Sequence, residues 1–494
     1  MIGKAFFENL AESANPVFIK ELRQNFRNRR LLLVMTLMLL LQFGCSIIFS
    51  FGDFRDKDTA GSIFFLIILF AGFILSCIVC SLSAEQRFSQ ERADKELNYT
   101  MLTSLSPASV IIGKLESALV MIPFIYSLLL PFMAAAYFMR GISLESLLLI
   151  PFLIPILLLA SLGGILAGSF GKRGISNLFT MGMIFFGFSF FSPGLFFVTR
   201  VMLGTTVDLQ EFLLLLACEY VLSALLGVLL FLFTLKIISP KKSNRNFALK
   251  IYLFLLPFIT LAGMLPLHAF TSSFDEEVFF TLEFLFAGGV VFLLLVTSIF
   301  EPPTAGIRTF MECPTKPVRR LLHFIFSTGF TGSLILSALI IFIPLAILPF
   351  MHFGLTERIV VYACVSCLFA LENILILAHG LSWGTKLHLP PWALTLLLLI
   401  PGIVPAFRFS DASPVMQIVF MMISPLYALI MAFTGPTLMS NGNTIQFTGM
   451  LASCIGTGVL FLVFSRVFIR AFRHHRRPAE ADSIKTPTPE MLGK

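Results

Sequence analysis

Apolar runs of about twenty residues, the length that carries a helix across a hydrocarbon layer about 30 Å thick, recur throughout this chain. They lie near 31–50, 61–83, 114–138, 147–170, 178–198, 211–238, 249–270, 279–300, 324–350, 358–383 and 447–469. The tract 391–433 holds a short run ending at Phe407 and a second from Val415 to Phe433, parted by the polar turn Arg408–Pro414. Against this background one polar stretch stands out, QERADKELNYTMLTSLSPASVIIGK at 90–114, set between two apolar runs. In it Leu97, Met101 and Leu105 recur every fourth residue with Leu102 beside them, while Arg92, Asp94, Lys95, Glu96 and Asn98 crowd its start. The spacing predicts a short amphipathic helix over 91–107, its end punctuated by Pro107 and Gly113. Such a helix does little inside lipid but offers an apolar stripe with a charged rim to a groove on a partner. A solvated turn lying on the headgroups is the alternative.

A second amphipathic pattern precedes the first apolar run. In NPVFIKELRQNFRNRR at 15–30, Phe18, Leu22 and Phe26 form one stripe while Lys20, Arg23 and Arg27 form another face. Residues 1–30 are therefore expected to carry an interfacial helix along the inner leaflet; a plain basic anchor would need the charges but not the stripe. The segment SPKKSNRN at 239–246 has the composition of a short cytoplasmic linker. It predicts a first six-span half at 31–238, a linker at 239–248, a second half at 249–475 and a polar, disordered tail from 476 to 494. In the second half the loop 301–320 occupies the place that 84–113 holds in the first, each opening on a glutamate that leaves an apolar helix, Glu85 and Glu301. The expected repeat is topological.

Composition turns the pattern into a class. With 57% hydrophobic and 13% charged residues, 57 Phe and a mean hydropathy of +0.93, the chain is too apolar for a soluble protein. It is expected to be an all-α polytopic membrane protein. Basic residues cluster at Lys20–Arg30, Arg87–Lys95, Lys172–Arg173, Lys236–Lys250, Arg308–Arg320 and Arg466–Arg477. With the N-terminus inside, only Arg55, Lys57, Arg140, Arg200, Arg358 and Arg408 of the 35 basic residues fall outside. Retention of Lys and Arg on the cytoplasmic side thus predicts both termini there, in the plasma (inner) membrane. Two cytoplasmic ends require an even number of crossings, about twelve, so Val415–Phe433 is expected to be a re-entrant hairpin broken by Pro425 and Gly435–Pro436. The net charge of +8 is then a topology signal and gives no reason to expect a nucleic-acid partner. The first run begins only at Leu31 and leads to Phe51-Gly52-Asp53, as in an anchor that stays rather than a cleaved signal. CIVC at 77–80 and CVSC at 364–367 lie inside apolar runs, where Cys acts as a small hydrophobe.

Little catalytic chemistry is legible. The nearest string to a phosphate-cradling loop, GSFGKRG at 168–174, has Leu166 where the first glycine belongs and Arg173 where a Mg²⁺-binding Ser or Thr should follow the lysine. HExxH and GxSxG patterns are lacking, and His474-His475 sit in a basic tail. No catalytic residue, metal or cofactor is expected of this chain. Ionisable residues within the apolar runs are costly there and tend to face a cavity or a partner. Glu219, Glu283 and Glu372 are the acidic ones, and Glu372 and His379, seven apart, fall on nearly one helical face about 10 Å apart along the axis. They are candidates for a transport pathway; interhelical hydrogen bonding is the alternative.

The pieces together resemble the membrane (permease) subunit of type 2 ATP-binding-cassette exporters. The resemblance rests on Asn15, Pro16, Lys20, Glu21, Leu22 and Arg23, then on Glu91, Arg92, Leu97, Leu102, Leu105, Ser106, Gly113 and Lys114. It covers about residues 15–135 and beyond Pro240 is one of topology only. The family's usual Gly-Thr-Leu-Glu run is altered by Lys95, Glu96 and Asn98, and Ser104 stands for the proline of its Thr-Pro-Leu-Ser run. The resemblance implies a permease moving a lipid-like, drug-like or peptide substrate outward. A separate cytoplasmic ATP-binding subunit would supply the work by pressing on 91–107 through Glu91, Arg92, Leu97, Met101, Leu102 and Leu105. A second copy of this chain or a related permease, and membrane lipids, would be its other partners. Two other classes stay open: an ion-coupled secondary transporter using Glu372 or Glu283, and an intramembrane lipid-handling enzyme using Glu372 with His379.

Overall fold

The computed structural model describes residues 15–27, 29–51, 57–94, 96, 105–138, 150–170, 209–239, 244, 246–270, 287–291, 294, 313–327, 329–347, 365, 368–377, 451, 454–460, 462–463 and 469. The chain divides into two compact units, Met1–Ser239 and Pro240–Lys494. Among the described residues every regular element is a helix, and three stretches are long and apolar enough to cross a membrane: Ile63–Ala93, Pro107–Phe138 and Tyr220–Ile238. The tract 391–433 with its expected hairpin, the run 178–198 and the tail from 476 lie outside the described residues.

In the first unit, α1 (Pro16–Arg27), α2 (Arg29–Phe51), α3 (Lys57–Ala93), α4 (Pro107–Phe138), α5 (Ile150–Ser169) and α6 (Leu209–Ile238) follow in order. The outer face of α2 leaves Leu32, Leu33, Leu40, Phe43 and Ile48 exposed, an apolar surface of the kind that faces lipid or another protein. Its inner side buries Met38 against Phe64, Phe65, Ile68 and Phe73 of α3 and Ile125, Leu129 and Met133 of α4 in the largest apolar cluster. At 37 residues, α3 is about 55 Å long, well beyond the hydrocarbon thickness. About twenty residues from Ile63 would fill a bilayer, which would leave Arg87 and Glu91 in the last turns at or past the headgroups.

The sequence runs and the helices differ where local chemistry intervenes. α4 begins at Pro107, seven residues before the apolar run, because Ser106 caps it: the Ser109 amide donates to Ser106 Oγ at 3.1 Å, and Pro107 takes the first helical position. Pro107 thus starts a helix as well as ending the polar segment. Glu91–Ala93 continue α3 rather than opening a separate helix. Pro123 and Pro131 remain inside α4 and Pro155 inside α5; neighbouring helices make such interruptions tolerable in a membrane bundle.

α3 and α5 pack unusually close, through Gly164 and Gly168. A Cβ on Gly164 would collide with the carbonyl oxygen of Ser81, and one on Gly168 would come within 2.7 Å of the Glu85 carbonyl oxygen and 2.9 Å of Phe88 Cβ. Two glycines four apart make one smooth strip for a neighbouring backbone, and in lipid, where no hydrophobic force drives helices together, such contact is a main source of cohesion.

In the second unit, α7 (Phe247–Phe270), α8 (Pro317–Phe326) and α9 (Phe330–Ile347) are described with shorter helical stretches at 287–291, 368–377 and 454–460. The apolar run 324–350 is not one helix: α8 ends at Phe326 and α9 starts at Phe330. The buried Lys250 ammonium of α7 reaches into the break, donating to the carbonyls of Ser327 at 2.6 Å and Gly329 at 3.0 Å. Carbonyls at a helix end lack intrahelical donors, and a cation there also suits the helix dipole. Of the loop 301–320 expected to mirror 84–113, Pro317–Arg320 form the first turn of α8 and 301–312 lie outside the described residues.

The α3–α5 contact should be intolerant of any side chain. Gly164→Val is expected to lower stability by about 1–3 kcal/mol or more through overpacking against backbone. Gly44→Ala on α2, with nothing within 4 Å of the added carbon, should be neutral or stabilising by about 0.5–1 kcal/mol. Thermal unfolding midpoints of the two purified variants in one detergent check the pair.

Candidate functional site

The described residues of the first unit converge on one polar place, where α1 crosses the end of α3 and the start of α4. Asn15 begins it. Its Oδ1 accepts from the Val17 amide at 3.1 Å, capping α1, and its Nδ2 donates to the Ser109 carbonyl at 2.6 Å and to Ser109 Oγ at 3.3 Å. One side chain therefore both starts α1 and ties it to the first turn of α4. Gly113 lets the helices meet: a Cβ there would lie 2.9 Å from Asn15 Nδ2, 2.9 Å from Val17 Cβ and 3.0 Å from the Phe18 amide nitrogen.

The face that α1 turns inward is Val17, Glu21 and Asn25, spaced i, i+4, i+8. Phe18, Leu22 and Phe26, the stripe expected along the inner leaflet, do not form this inward face; Phe26 is 49% exposed and meets Phe124 edge-on at 5.7 Å. The reason is electrostatic. Glu21, only 3% exposed, pairs with Lys114 of α4, itself 6% exposed, and with Arg87 of α3 at 3.5 Å. Lys114 also pairs with Glu91 at 2.8 Å and lies 5.2 Å over the Phe88 ring. Lys20 closes the chain of charges, 2.9 Å from Glu91 and 3.3 Å from Glu96. Three cations and three carboxylates alternate without net charge, as groups withdrawn from water require. Below them a cavity of about 40 Å³ is walled by Asn25, Arg87, Ser117 and Ser161 with Met121 and Ile125 behind, room for ordered water. Arg87 Nη2, buried and otherwise without a partner, is the atom that water there would satisfy.

Glu91 and Lys20 titrate away from their ordinary values. Burial opposes the Glu91 carboxylate, but Lys114 and Lys20 outweigh it and hold the carboxyl below 4.5. Partial burial likewise works against the Lys20 ammonium, and Glu91 and Glu96 more than offset it, raising the group above 10.5.

Of the residues expected to engage a partner, Glu91 is committed to these internal pairs and 15% exposed at its side chain, while Arg92 is exposed at the end of α3. Leu105 packs against Val17, Phe88, Val110 and Ile165 and so belongs to the same junction. Leu97, Met101 and Leu102 lie outside the described residues, as do Glu283 and His379; Glu219 lies in α6 with its side chain outside them. Glu372, in the second unit, is 1% exposed and accepts a hydrogen bond from Ser337 Oγ at one oxygen, while Oε2 is buried without a partner. Cys77 and Cys80 are free thiols in the apolar core of the first unit. Sequence reasoning passed over Glu21 and Lys114 as a pair, 93 residues apart. The available signal was a single acid on an otherwise basic helix and a lysine opening an apolar one.

Neither a scan against protein-family models nor searches of curated proteins and of solved structures give a match to this chain.

Breaking the central pair should cost far more than removing it. Glu21→Leu alone, which strands Lys114, is expected to destabilise by about 3–5 kcal/mol, and Glu21→Leu with Lys114→Met should recover most of that; unfolding midpoints in detergent read the difference. The Glu91 shift gives a second test. Because its carboxyl is held below 4.5 in the folded chain, its contribution is complete above that value and is lost as pH falls through the lowered folded value. Stability measured from pH 6 down to pH 3 should therefore fall more steeply for the native chain than for Glu91→Gln.

Proposed function

We propose that this chain is the membrane-spanning permease subunit of an ATP-binding-cassette exporter in the plasma (inner) membrane. It has about twelve spans in two halves and both termini in the cytoplasm. It moves a lipid-like, drug-like or peptide substrate outward, and a separate cytoplasmic ATP-binding subunit supplies the work. One observation carries the reading: residues scattered over 15–114 that form the resemblance, Asn15, Glu21, Glu91, Gly113 and Lys114, meet in one junction. That junction clamps α1 to both stems of the segment 94–106. A partner pressing on the segment would then move three helices together instead of bending a loop, which is the mechanical condition for coupling a remote ATPase to a membrane conformation.

A second reading, an ion-coupled carrier, draws on Glu372, since a carboxylate fully buried in an apolar helix with one oxygen unpartnered offers a place for a transported cation or proton. The readings part on one experiment. Leu97→Ser with Met101→Ser should leave membrane insertion and the thermal midpoint unchanged while an ATP-hydrolysing subunit no longer co-purifies in mild detergent and export stops; apolar interface anchors commonly contribute about 1–3 kcal/mol each. Export that survives the double substitution, and stops instead in Glu372→Gln, would replace the permease reading with the carrier.

A further inference from the structure

Among the described residues α8 is a second amphipathic helix, and what lies along it differs from α1. Val318, Leu321 and Leu322 stand at i, i+3 and i+4, and they are 70%, 46% and 50% exposed. Only Phe324 of this ten-residue helix is buried. Lys316 and Arg319 are exposed on its flanks. An apolar stripe so open to solvent is unfavourable unless something covers it.

Three observations say what does. First, the chain runs from α8 through three residues into α9, eighteen mostly apolar residues with no charged side chain, the composition of a helix that enters lipid close to where the stripe lies. Second, the exposed ionisable groups alongside the stripe are cations, complementary to a negatively charged surface. Third, α8 is fixed in place from the other side. Lys250 of α7 binds the carbonyls at its end, His323 lies 6.3 Å from the Phe247 ring, and Phe254 meets Phe326 edge-on at 5.9 Å. The helix is held with its stripe outward, as α1 is held by the Lys114–Glu21 pair; both helices begin Pro-Val and both lead within three residues into an apolar helix.

We propose that α8 is an anionic-lipid-binding element, seated in the headgroup layer with Val318, Leu321 and Leu322 at the acyl boundary and Lys316 and Arg319 on lipid phosphates. Its occupant is the phospholipid headgroup of the surrounding bilayer rather than free phosphate or a protein groove. Lipid composition would then bear on the second unit directly, since α8 is coupled through Lys250 to α7 and through the 327–329 break to α9.

The full chain in nanodiscs tests this. Spin labels placed one at a time by Val318→Cys and Leu322→Cys, in a background whose native cysteines are replaced by Ser or Ala, should be accessible to oxygen and shielded from a water-soluble nickel reagent. A label at Arg319→Cys should show the reverse. The thermal midpoint should rise when phosphatidylcholine discs are enriched in phosphatidylglycerol. That rise should be lost in Lys316→Gln with Arg319→Gln, both surface positions whose replacement leaves the fold intact, and it should not be reproduced by inorganic phosphate added to phosphatidylcholine discs. Nickel access at 318 and 322 would make the stripe a protein-docking face and overturn the proposal. So would a midpoint indifferent to phosphatidylglycerol, or one raised equally by inorganic phosphate.

Discussion

The pair between Glu21 and Lys114 is the constraint from which the first unit's arrangement follows. Two charges that are each almost wholly withdrawn from water are tolerable only if held together and satisfied at their remaining sites. Meeting that condition brings in Arg87 on the far side of Glu21, Glu91 on the far side of Lys114 and Lys20 beyond it. Each added partner comes from a different turn or helix, so satisfying one buried ion fixes the relative placement of α1, α3 and α4. Gly113 and Asn15 are consequences of the same demand. The glycine removes the side chain that would keep the ions apart, and the asparagine spends both ends of its amide on the crossing point.

A hydrophobic interface could have joined these helices with more net stability, since well-packed apolar groups often outperform buried ion pairs. A polar junction gives something else. Apolar surfaces slide with little change in energy, whereas alternating charges have one register in which every ion is paired. The junction therefore defines a single position for α1 on the bundle, and it does so beside the polar segment 94–106, where a yielding connection would dissipate any applied motion.

Helices were the most legible feature of the chain, because twenty apolar residues in a row have few other fates. α2, α6 and α7 fall within two residues of their apolar runs. The departures have local causes that hydropathy does not register. Ser106 and Pro107 set the start of α4 by capping, and Lys250 intrudes where 324–350 reads as unbroken. The inward face of α1 is not the one hydropathy marks: Phe18, Leu22 and Phe26 make the stripe expected along the leaflet, whereas the burial of Glu21 depends on Lys114 and Arg87, which are distant in sequence. Pairing across ninety residues has no periodic signature in a single chain. Gly164 and Gly168 were visible as two small residues four apart, but their role depends on which helix lies opposite, and that is a property of the packed bundle.

The close crossing of α3 over Gly164 and Gly168 has a mechanical consequence. The contact runs over residues 81–89 and centres near 85, leaving about 12 Å of α3 on the side of the charged junction and about 42 Å on the other, at 1.5 Å per residue. A rigid helix that pivoted there would be a lever with unequal arms. A displacement of about 2 Å at the short end would become about 7 Å at the long one, in the opposite direction. The place of the crossing along α3, set by where two glycines fall in α5, would then fix the ratio between the two displacements.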